Sequence, residues 1–140
     1  MAKQNVPRKL VVGTRTLRYR VGHEHQVDHL DGIPQYSGCT ELLSIWLDRR
    51  PNHALELAFV ASQGHLVYDG LPWTHSGMVK RIAGEETYLN LHEPGVVRAF
   101  VDEALAIGWA PEGAKRRIDG WSLFERVALR RREAVAQPAS

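Results

Sequence analysis

The chain has 140 residues, 44% of them hydrophobic and 24% charged, a composition that fits one globular domain and argues against disorder through its body. Eighteen Lys and Arg against sixteen Asp and Glu leave a net charge of +2, a balance that does not by itself imply nucleic acid. One cysteine, Cys39, excludes an intrachain disulfide framework and favours a reducing, cytoplasmic setting, and no run approaches the ~18 apolar residues of a membrane span.

Residues 1–7 and 137–140 read as frayed ends of a single domain covering 1–140, and the N-terminal stretch lacks the apolar run of a signal peptide. Lys9 to Val12 reads as a short strand turned at Gly13. Leu17, Tyr19 and Val21 then alternate with Thr16, Arg18 and Arg20, the period of two that a strand with one buried face produces. Gly22 to Gly38 concentrates turn chemistry (Asp31-Gly32, Pro34, Ser37-Gly38) and reads as a long, function-bearing loop. Glu41 to Leu47 and His53 to Ala61 read as two strands joined through the turn Asp48 to Asn52. This is an antiparallel hairpin, and the second strand is apolar enough on both rows to be central. His65 to Tyr68 and Thr87 to Leu91 complete the strands, with Leu71 to Gly84 irregular between them.

Pro94 to Ile107 carries the clearest helical signal. Val97, Phe100, Val101, Ala104 and Leu105 recur at three- and four-residue spacing, and Pro94 suits the first helical position. Gly108 occupies the position of a left-handed cap, and Trp109 can fold back over the last turn. From Trp121 to about Val135 two readings stand open. One is a helix capped by Asp119 with Trp121, Phe124, Val127 and Ala128 on its buried face; the other begins as a strand. The segment YLNLHEPGVVRAFVDEALAIGWAPEG, Tyr88 to Gly113, is a strand, a Pro-started helix and then Gly-Trp-x-Pro. It resembles a loose group of small bacterial proteins with no assigned activity. That resemblance implies a small α+β fold and transfers no site.

The sharpest chemical feature is GHEHQVDHLDG, Gly22 to Gly32. His23, His25, Asp28 and His29 supply neutral imidazoles and a carboxylate, the ligand set of Zn²⁺ or another divalent metal, which with an open coordination position can activate water. No HExxH or CxxC accompanies them. The alternatives are a solvated loop in which Asp28 or Asp31 caps a turn, or a pH-responsive histidine cluster. Glu41 and Glu56 lie near adjacent strands but are expected to face solvent rather than to form an acid–base pair. Cys39 is a candidate nucleophile only if a histidine stands beside it, and otherwise a small packed residue. Tyr68, Trp73 and His75, with Trp121, supply aromatic and polar groups of the kind that binding surfaces use. Between Ala114 and Val135 seven basic residues outnumber three acidic ones, which offers phosphate contacts or else a solvated helix end.

The expected architecture is α+β: an antiparallel sheet of four to five strands with the helix Pro94–Ile107 packed on one face. The expected function is that of a non-catalytic bacterial binding module acting through a protein partner, regulatory or immunity-type. A metal-dependent hydrolase built on His23, His25, Asp28 and His29 is the alternative, and nucleic-acid binding through the basic C-terminal segment is the third reading.

Overall fold

A computed structural model describes residues 6–67, 77–82 and 84–136, with the backbone alone for residues 25–27, 35–38 and 135–136. Its class is α+β. Five strands form the main sheet in the order β1(Arg8–Val12), β2(Arg15–Leu30), β3(Ile33–Leu47), β4(Leu55–Val60), β8(Arg116–Asp119). A three-stranded antiparallel meander joins β5(His65–Val67), β6(Met78–Arg81) and β7(Thr87–Asn90). The helices are α1(Pro94–Ala106) and α2(Trp121–Ala136).

The expected all-antiparallel sheet is corrected at one edge. β4 and β8 run parallel, with Leu57 beside Ile118, so the main sheet is mixed. Parallel neighbours need a long crossover, and here β5 to β7 and α1 lie between the two strands. β8 was invisible to periodicity because, within Arg116–Asp119, only Ile118 supplies an apolar side chain. β6 was likewise missed inside the stretch expected to be irregular.

Alternation sets which face is buried. Leu17, Tyr19 and Val21 on β2 stand opposite Leu47, Ile45 and Leu43 on β3, and Ile45 and Leu43 stand opposite Leu55 and Leu57 on β4. These side chains join Val97, Phe100 and Val101 of α1 and Phe124 and Val127 of α2 in one core. Phe59 is its hinge point: its ring meets Phe100 edge-on at 5.5 Å and Trp121 at 5.3 Å. Among the described residues no helix or second sheet joins a core on the opposite face, where Leu42 and Ala58 are buried outside the main cluster.

The helix ends follow their sequence signals. Gly108 adopts a φ of 100°, and the Trp109 and Gly108 N–H groups donate to the carbonyls of Ala104 (2.9 Å) and Leu105 (3.1 Å). This pair of reversed bonds satisfies carbonyls that the helix end would otherwise orphan. Trp109 is buried by the same turn, which removes it from any partner-facing surface. At α2 the helical reading holds and the strand reading is overturned. The Asp119 carboxylate accepts from the Trp121 N–H at 3.0 Å, and Leu123, Phe124, Val127 and Ala128 face the core.

Candidate functional site

The long loop expected from Gly22 to Gly38 is instead a continuation of β2 and β3. The two strands stay paired to the tip, from His23 opposite Glu41 out to Leu30 opposite Ile33. Asp31 (φ 53°) and Gly32 (φ 77°) form the two-residue turn, and both take the positive φ that the tight hairpin turn matching strand twist requires. Pro34 pairs with His29, one step from the turn-closing pair, so its nitrogen points away from β2 and no ladder bond is lost.

β1 pairs with β2 only as far as Tyr19, and β4 pairs with β3 only over Thr40–Ile45. Among the described residues no third strand pairs with Gln26–Leu30 or Ile33–Ser37. At ~3.4 Å per residue these five pairs carry an arm about 17 Å past the sheet. Every residue from Asp28 to Pro34 is exposed, and the tip presents Leu30 at 66% and Ile33 at 60% exposure. From Asp28 to Pro34 no side chain is buried, so nothing there imposes an apolar alternation.

This geometry separates the expected metal ligands. His23, Asp28 and His29 lie on one extended strand, so at ~3.3 Å per residue His29 is about 20 Å and Asp28 about 17 Å from His23. They cannot share an ion within one chain. The His25 side chain lies outside the described residues. No group of three or more His, Cys, Asp or Glu side chains among the described residues is placed to hold a metal.

At the arm's base sits a pair that sequence reasoning divided between two hypotheses. Glu41 is 0% exposed, contrary to the expected solvent-facing position, and its carboxylate bonds the Nδ1 of the part-buried His23. Counting pairs outward from the Asp31-Gly32 turn would put Thr40 opposite His23. A register shift between Glu24 and Gln26 moves Glu41 there instead. Both side chains lie on the core face, at the end of the row Tyr19, Val21 and Ile45, Leu43. Glu56 stands on the other face, so the two glutamates do not pair. Instead it binds Arg117 at 3.1 Å and Lys115 at 3.7 Å. Arg117 also approaches Glu24 at 3.5 Å. Its pKa is raised, first by the hydrogen bond to Glu56 and further by Glu24.

The remaining candidates divide. The Cys39 thiol makes no hydrogen bond to a histidine among the described residues, while its carbonyl accepts from Ala61 N–H at 2.8 Å. Trp121 serves the core edge: its ring contacts His65 at 4.2 Å and Phe124 at 5.2 Å, and its indole N–H donates to the Val60 carbonyl at 2.9 Å. Tyr68, Trp73 and His75 lie outside the described residues. The arginines of α2 are largely matched by carboxylates. Arg130 pairs with Glu103, Arg131 with Glu93 at 2.7 Å and Arg132 with Glu85 at 3.9 Å. The Arg130 pKa is raised chiefly by its bond to Glu103. Cations already paired in this way have less to offer a phosphate backbone.

No helix among the described residues is long and apolar enough to cross a membrane. A scan against protein-family models, a search of curated proteins and a search of solved structures each found no match.

Proposed function

We propose that the chain is a non-catalytic protein-binding module, cytoplasmic, whose β2–β3 arm is the element that engages a partner protein. The carrying observation is the projecting β2–β3 arm with Leu30 and Ile33 exposed at its tip. Two apolar side chains held together at the end of a projecting hairpin are costly in water and gain by burial in a partner's groove. Side-chain docking of the tip is favoured over strand addition along the outer edge of β3. Pro34 removes the outward N–H that a paired strand would need there.

The magnitude is within reach of a specific complex. Burying a Leu or Ile side chain is worth roughly 1.5–3 kcal/mol. With about two-thirds of each exposed, the pair gains roughly 2–4 kcal/mol, about 30- to 1,000-fold in affinity. The test is affinity capture from host lysate with the wild-type chain and with the double variant Leu30→Ser/Ile33→Ser. The wild type recovers a specific protein that the double variant does not, and the two have equal melting temperatures. Recovery of the same protein by both chains would overturn the reading.

A further inference from the structure

On the open face of the main sheet lies a cleft of about 210 Å³, far from the arm tip and separate from the core. Its groups come from one cross-strand row. Arg20 on β2 stands opposite Ser44 on β3, and Ser44 opposite Glu56 on β4. Lys115, just before β8, closes the far side, and Trp46, Pro51 and Ala54 supply apolar wall.

Three features of this row point to a ligand. The Arg20 guanidinium lies 5.8 Å from the centroid of the Trp46 ring and has no carboxylate partner among the described residues. Ser44 lines the cleft, and its hydroxyl makes no hydrogen bond among the described residues, which leaves it open to a ligand. Lys115 reaches Glu56 only at 3.7 Å, while Arg117 already holds that carboxylate at 3.1 Å. Arg20 and Lys115 against Glu56 leave the lining with an excess of one positive charge.

We propose that this cleft binds a small aromatic carboxylate. The carboxylate accepts from the Arg20 fork and the Ser44 hydroxyl, with Lys115 completing its charge balance. The aromatic body lies on the apolar wall formed by Trp46, Pro51 and Ala54. A single excess charge matches a monoanion better than a phosphate dianion. The cleft is smaller than the roughly 300–1,000 Å³ of drug-sized pockets, which limits the ligand to about one ring.

The experiment is a ¹⁵N–¹H titration of the full chain followed at the Trp46 indole N–H, assigned with Trp46→Phe, using three probes: benzoate, acetate and benzamide. Benzoate produces a saturable shift. Acetate, which keeps the charge and lacks the ring, binds more weakly, and neutral benzamide binds at least about tenfold more weakly, a difference of ~1.4 kcal/mol. Arg20→Gln costs benzoate a similar factor with no change in melting temperature, because Arg20 is exposed, and Arg20→Lys restores part of the loss. Absence of a saturable benzoate shift, equal binding of benzamide, or an Arg20→Gln variant that titrates like the wild type would each overturn the proposal.

Discussion

Gly120 is the residue at which the packing of β8 and α2 onto the sheet is most sharply testable. A Cβ built there lies 2.4, 2.5 and 2.6 Å from three ring carbons of Phe59. Carbon atoms in contact normally sit ~3.5–4.0 Å apart, so Gly120→Ala forces a retreat of about 1 Å. The ring has no room for it. Phe59 is fully buried and edge-packed against both Phe100 and Trp121, and Gly120 is itself tied to Ala58 by a 2.8 Å backbone bond. Overpacking of a rigid core site costs ~1–3 kcal/mol, and three simultaneous clashes place this one at roughly 2–3 kcal/mol. At about 3–4 °C per kcal/mol for a chain of this size, the melting temperature falls by roughly 6–12 °C. Urea denaturation of Gly120→Ala, Phe59→Leu and the double variant measures it. The double variant recovers part of the loss, with a coupling of at least ~0.5 kcal/mol. A Gly120→Ala loss below ~0.5 kcal/mol, or strict additivity, would refute the reasoning.

Three further outcomes follow from the same structure. Asp119→Ala removes the side-chain acceptor for the first turn of α2 and costs ~1 kcal/mol by urea denaturation, whereas Asp119→Asn retains most of the cap. Arg130→Ala costs more than Glu103→Gln, because the Glu103 side chain is 8% exposed and that of Arg130 is 46% exposed. The stranded carboxylate loses roughly 1–3 kcal/mol and the half-solvated guanidinium about 1 kcal/mol or less, so the reverse order would contradict the burial argument. The Glu112 carboxyl sits below its ordinary value of 4.5, first through a hydrogen bond from its own backbone N–H and then through Arg15 at 3.3 Å. A depressed folded pKa contributes stability above the unfolded value and loses it as pH falls through the folded one. An NMR titration of Arg15→Ala shows the Glu112 pKa rising only part way, since the backbone bond remains. No movement, or full return to 4.5, would contradict that order of causes.

Where burial is one-sided, the fold was legible. The row Leu17, Tyr19, Val21 was readable because a core on one face imposes alternation, and α1 because its apolar stripe, Pro94 and Gly108 agree. The arm was illegible for the converse reason. From Asp28 to Pro34 every side chain is exposed, so no buried row imposes alternation and the stretch reads as loop even with Asp31-Gly32 marking the turn. The His23–Glu41 pair was hidden by a single register shift, which a residue count from the turn cannot foresee. The cleft on the open face was hidden differently. Arg20, Ser44 and Glu56 come from three strands, and only the observed registers bring them into one row.

The central claim is that the arm tip meets another protein. The most direct test places a photo-crosslinking amino acid at Ile33, and separately at Leu129 on α2, which is 53% exposed and serves as the control. Irradiation in host cells is predicted to give one discrete adduct with a different protein from position 33 and none from position 129. No discrete adduct at position 33, the same adducts from both positions, or only a dimer of the chain itself would contradict the account.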